Sequence, residues 1–231
     1  MQNTNKNIIL GVVVVALLAG GAWWFTQNSS HPLPLVEDDA VSSWDFQGTH
    51  EDGGELEKKA KDEIVRLGSL YGNPEGEPTD YILNVSIANQ YELLGDGESA
   101  YKYLGRALKI DSTKTGLAWR NLGSLLERLG ALQTARIAYA RAVEAQPFIE
   151  YHVARLRFLI THFADDTAAI EAAFEEAEKQ YSDSPEILQL RARWHEKMGR
   201  PEEAIEAWQK IKSLMGGDLT IDREIARLRS L

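Results

Sequence analysis

Any chemistry performed by this chain would have to come from its carboxylates and its five histidines, His31, His50, His152, His162 and His195. None of the five has another histidine, or a glutamate in a metalloprotease arrangement, four residues on, so the pattern of a helical zinc site is absent. The Asp165 and Asp166 pair after His162 reads as a helix start, where carboxylates meet the positive end of the helix dipole. There are 0 cysteines, which excludes disulfides, thiolate metal ligands, a thiol nucleophile and cysteine-linked lipid. The Gly95-Asp96-Gly97 run does not follow a strand, so it reads as a turn between helices and not as a phosphate loop. No nucleophile elbow is present. Asn28 and Asn84 each begin a glycosylation sequon, the second inside a predicted helix. The residues call for no cofactor and no metal, and they form no pattern of a catalytic site. A hydrolase or metal enzyme in an all-helical shell is the reading furthest from the pattern.

With 231 residues, 44% of them hydrophobic, the chain can bury a core. Its net charge of -10 argues against nucleic acid, because phosphate binding needs a basic stripe that is not apparent here. Residues 8–25, IILGVVVVALLAGGAWWF, contain no charge. As a helix they would rise about 27 Å, close to the thickness of a bilayer core. Lys6 precedes the run while Glu37, Asp38 and Asp39 follow it, so the positive-inside rule puts residues 1–25 in the role of cytoplasmic tail and transmembrane helix, with everything after them extracytoplasmic. The competing reading is a signal peptide cleaved near Ala22, which would leave a secreted protein. Residues 26–54 lose all periodicity and read as a flexible acidic linker of about 30 Å. Trp44 and Phe46 are the aromatic exception, read as transient packing on the folded part.

From residue 55 to 231 the period is helical. Leu56, Ala60, Ile64, Leu67 and Tyr71 form one stripe that would cover the first of a series of hairpins. Residues 116–147 then place Trp119, Leu122, Gly123, Leu126, Ala135, Tyr139, Ala142 and Pro147 at fixed offsets in a unit of 34 residues. Small residues stand where helices touch and large ones where gaps are filled. This pattern resembles the tetratricopeptide (TPR) repeat, a helix-turn-helix unit that stacks on its copies. The resemblance covers about residues 81–215, with repeats expected at about 81–114, 116–149, 150–184 and 185–217 and a capping helix at 218–231. Ala100, Ala135, Ala169 and Ala204 mark the period. The third unit is degenerate, with Ala164 where the turn glycine belongs. The fold class expected is all-α, a TPR-type helical-hairpin solenoid.

The resemblance also implies where a protein or peptide partner would lie. The groove positions of each first helix fall on Ile82, Val85, Ser86, Asn89 and Glu92, then on Leu117, Arg120, Asn121, Ser124, Glu127 and Arg128, then on Tyr151, Ala154, Arg155 and Phe158. Asn89 and Asn121 match positions of the carboxylate clamp of chaperone-binding relatives, but Val85, Ala154 and Phe158 stand where that clamp needs basic groups, so capture of a chaperone tail is not expected. The layout of anchor plus repeats implies a membrane-tethered scaffold for protein–protein interaction at the extracytoplasmic face. A narrower alternative, a chaperone-like factor in the assembly of c-type cytochromes or another envelope complex, rests on the run Ala204-Ile205-Glu206-Ala207-Trp208.

Overall fold

Ten helices and no strand occur among the described residues, which in this computed structural model are 31–72, 77–216 and 219–230. The apolar run at 8–25, the first part of the linker and Asn28 lie outside them. The described residues form two compact units that divide between Ile110 and Asp111.

The first unit holds α1 (Glu55–Gly68), α2 (Asp80–Leu94) and α3 (Gly97–Ile110). Thr79 caps α2 by accepting from the Ile82 N–H at 3.4 Å, which satisfies one of the amide groups a helix start leaves open. Gly95, at φ 80°, ends it; a Cβ there would lie 2.0 Å from the Phe46 carbonyl oxygen, so both the left-handed turn and the close approach of another backbone require glycine. Leu83 and Ile87 of α2 are sealed against Leu67 and Ile64 of α1, with Tyr91 and Tyr103 closing the cluster. The expected stripe on α1 holds at Ala60, Ile64 and Leu67. Leu56 is exposed, and Tyr71 lies past the helix end, where its hydroxyl donates to Asn84 Oδ1 at 2.9 Å.

Residues 31–51 do not behave as the free tether expected of this polar, Pro- and acid-rich tract. They form a strap across the α2–α3 hairpin. Leu93 and Gly95, at the C-terminal end of α2, have carbonyls that accept from the His50 and Phe46 amides at 2.9 and 3.0 Å, while the Trp44 carbonyl accepts from the first amide of α3, Gly97, at 2.9 Å. The strap thereby supplies partners for groups that helix ends leave open. Its start is pinned by His31, whose ring stacks on Tyr101 at 3.7 Å and whose Nε2 lies 3.1 Å from the Tyr101 carbonyl. The Tyr101 hydroxyl donates back to the Leu33 carbonyl at 2.5 Å. Trp44 packs on the same tyrosine at 5.1 Å. Composition suggested disorder because each contact uses backbone groups or a single ring, neither of which leaves a periodic signature.

The second unit holds α4 (Leu117–Arg128), α5 (Leu132–Ala145), α6 (Ile149–His162), α7 (Thr167–Tyr181), α8 (Pro185–Lys197), α9 (Pro201–Met215) and α10 (Leu219–Leu228). Consecutive helices pack as antiparallel hairpins, with α4 on α5, α6 on α7 and α8 on α9, and α10 covers α9. Gly130 and Gly199 take the left-handed conformation at the two regular turns. Ala135 and Ala204 are fully buried, as is Ala100 in the first unit. α10 buries Ile221, Ile225 and Leu228 against Trp208 and Ile211, whereas Leu219, at its first position, is exposed.

The third hairpin departs from the expected register. Its loop, residues 163–166, is one residue longer than the turn at 129–131, and Asp166 caps α7 through the Ala169 amide at 3.1 Å. Counted from the helix start, the close-contact position held by Ala100, Ala135 and Ala204 falls on Ile170, which is fully buried, while Ala169 is half-buried. Isoleucine thus fills the crossing that alanine fills in the other hairpins. Arginines tie this hairpin to its neighbours. Arg191 of α8 forks onto Glu178 at 2.6 and 3.0 Å and also reaches Glu171 at 3.0 Å. Arg155 of α6 holds Glu176 at 2.6 Å, and Arg136 of α5 holds Asp166 at 2.7 Å. Arg191 also lies over the Phe174 ring at 4.5 Å. Planar, charge-assisted forks of this kind give geometry as well as energy.

Candidate functional site

A cleft of about 360 Å³ opens in the second unit among α4, α5, α6 and α8. Arg120 and Glu127 come from α4, Tyr139 from α5, and Val153, Ala154, Phe158 and Thr161 from α6; Glu150, Arg157 and Glu186 complete the rim. The helical period explains the set: on α4, positions 120 and 127 are two turns apart and share a face, as do 150, 154, 157, 158 and 161 on α6.

Glu127 organises one wall. Its carboxylate accepts from the Tyr139 hydroxyl at 2.7 Å and contacts His162 Nε2 at 2.8 Å. Burial, and then the hydrogen bond to Glu127, push the Tyr139 phenol well above its ordinary pKa, so it stays a neutral donor. Phe158 lies beneath, 2% exposed, against Tyr139 at 4.9 Å. Arg120 Nη1 donates to Asn121 Oδ1 at 3.3 Å, and among the described residues no carboxylate pairs with it. Arg157 is bonded to Glu186 at 3.0 Å on the exposed rim, where such pairs contribute little. The floor is apolar and the rim carries donors and acceptors of both signs. That arrangement suits a peptide backbone with one side chain turned inward.

Of the groove residues expected from the repeat pattern, Arg120, Glu127, Ala154 and Phe158 meet in this cleft. Others have different work. Arg155 is committed to the clamp on α7. Asn121 is buried at 7% exposure. Tyr151 stacks on Phe148 at 5.9 Å and presses on Gly116, where a Cβ would lie 2.4 Å from its ring. Leu117 and Ser124 are half-buried and Arg128 is exposed. In the first unit, Ile82 and Asn89 are exposed, Ser86 and Glu92 half-buried, and Val85, 3% exposed, is part of the core and unavailable to a partner. Tyr139, Glu150, Val153, Arg157, Thr161 and Glu186 were missed. The repeat pattern makes Tyr139 a filler between helices, and only packing shows that its hydroxyl reaches the cleft.

The histidines are used structurally. His152 and His195 are buried, which lowers their pKa, and His31 is brought down to about 4 by burial first of all. Asn84, 4% exposed, donates to the Asp80 carbonyl at 2.7 Å and accepts from Tyr71, so its sequon is closed to a glycosyltransferase in the folded protein. Ala204 and Trp208 lie in the core, so packing alone accounts for the alanine and tryptophan of the run at 204–208.

Comparison with known families matches residues 118–148 to the tetratricopeptide repeat. No curated protein matches the chain. Among solved structures, a MamA protein aligns with 65% of this chain and 81% of its own at 18% identity and a TM-score of 0.52. A tetratricopeptide repeat protein from Parabacteroides merdae ATCC 43184 aligns with 76% of this chain and 65% of its own, again at 18% identity, with a TM-score of 0.55. Likeness at that identity speaks for the fold. Residues 118–148 thus carry a tetratricopeptide repeat, set within an all-helical fold of the TPR type.

Proposed function

We propose that this protein is a membrane-tethered TPR scaffold that holds a protein partner at the extracytoplasmic face, a segment of the partner lying in the α4–α6 cleft. The observation that carries the binding role is the cleft, with its apolar floor at Phe158 and Val153 and a rim where Arg120 is left without a carboxylate. The tether rests on the uncharged run at residues 8–25. TPR proteins in general act as interaction scaffolds, and nothing in this reading requires a catalytic step.

The test is a photocrosslinker placed at Thr161 inside the cleft and, separately, at the exposed Gln189 outside it, in the full chain in its native membrane. A discrete partner captured from Thr161 alone, and lost with Arg120→Glu, supports the proposal. Equal capture from both positions, unaffected by Arg120→Glu, refutes it. Extraction with alkaline carbonate tests the tether independently.

A further inference from the structure

We infer that the first unit lies against an anionic bilayer surface through the exposed face of α3. The inference rests on the tether proposed above, and begins from the strap. Because His31 is pinned to Tyr101 and seated over Gly105, where a Cβ would come within 2.3 Å of its ring, only residues 26–30 separate α3 from the apolar run ending at Phe25. Six peptide steps extend at most about 20 Å. The folded unit therefore cannot stand clear of the lipid, as a free linker of 29 residues would have allowed; it is held within one helix-pair thickness of the headgroups.

Charge then selects the face. Lys102, Arg106 and Lys109 follow one another at i, i+4 and i+7 along α3, all three exposed, with Ile110 exposed at 55% beside them and the exposed Glu98 one turn before them at the far end of the row. Among the described residues none of the three has a carboxylate partner; Arg106 rests over the Tyr103 ring at 4.5 Å. This basic row adjoins the Tyr101 and Gly105 stripe on which His31 is seated. The strap itself carries Glu37, Asp38 and Asp39, which an anionic surface repels, so the unit turns its basic row and not its acidic strap to the bilayer. Each lysine near such a surface changes the docked-to-undocked ratio by about fivefold.

The full chain, which has no native cysteine, can be labelled with a fluorophore at Glu98→Cys on α3 or at Asp62→Cys on α1 and reconstituted in vesicles of phosphatidylcholine with or without phosphatidylserine. A nitroxide on the lipid headgroup serves as quencher. Strong quenching at position 98 over position 62, only with phosphatidylserine, is expected. It should fall by more than about tenfold in docked-to-undocked ratio in Lys102→Glu with Lys109→Glu, a pair that leaves the Arg106–Tyr103 contact intact. Equal quenching at the two positions, or no change in the charge-reversed chain, overturns the docking while carbonate-resistant association still upholds the tether. Release of the chain by carbonate, or a mature N-terminus near Ala22, overturns both.

Discussion

Replacing Gly105 by alanine isolates the strap from everything else. In a helix interior this change alone favours folding by about 1 kcal/mol. Here the new Cβ would stand 2.3 Å from His31 Cδ2 and 2.5 Å from Nε2, and the ring cannot slide away without losing both its stacking on Tyr101 and its contact with the Tyr101 carbonyl. Stacking is worth about 0.5–1.5 kcal/mol and the hydrogen bond about 0.5–1.5 kcal/mol, so the strap end should loosen by about 1–3 kcal/mol. A glutamate-specific protease cutting after Glu37 reads that opening, and its rate should rise about 5- to 150-fold. In a His31→Ala background the clash is gone and the same substitution should stabilise the protein by about 1 kcal/mol. The sign reversal is the signature. If Gly105→Ala leaves cleavage unchanged, or stabilises the protein equally in both backgrounds, His31 does not seat on α3 and the strap argument falls.

Acid should release the same contact. Burial holds the folded His31 pKa near 4, below its ordinary 6.5; the stabilisation is complete above pH 6.5 and is lost as pH falls toward 4, visible as a falling protection factor at the Leu33 amide once the intrinsic exchange rate at each pH is divided out, with the His31→Ala chain showing no such dependence over that window. Ala135→Leu should cost about 1–3 kcal/mol by overpacking the α4–α5 crossing, while Ala169→Leu should cost well under half of that. Equal losses measured by denaturant titration would return the third hairpin to the register that alanine spacing suggests. Arg191→Met should destabilise the second unit by about 1–3 kcal/mol, as it leaves Glu171 and Glu178 without their shared partner, and the wild-type advantage should shrink in 1 M salt. A Tm unaffected by the substitution would mean that α7 is held by its apolar face alone.

The helices and their order could be read from spacing, because repeats place the same residue type at the same depth: Gly95, Gly130 and Gly199 at turns, Ala100, Ala135 and Ala204 at crossings. A local pattern suffices when each contact lies within one hairpin. It misled at Ala169, where one extra loop residue moved the crossing to Ile170 and nothing nearby in the chain signals the shift. It also assigned Arg155 to a partner and Val85 to a surface, since a shared helical face does not say which neighbour covers it. The cleft needed α5 and α8 as well as the predicted first helices. The strap needed the fold altogether: its partners are carbonyls at 93, 95 and 101, about 40 to 70 residues away. Backbone groups look alike at every position in a sequence, and only the folded chain decides which of them are left open to be used.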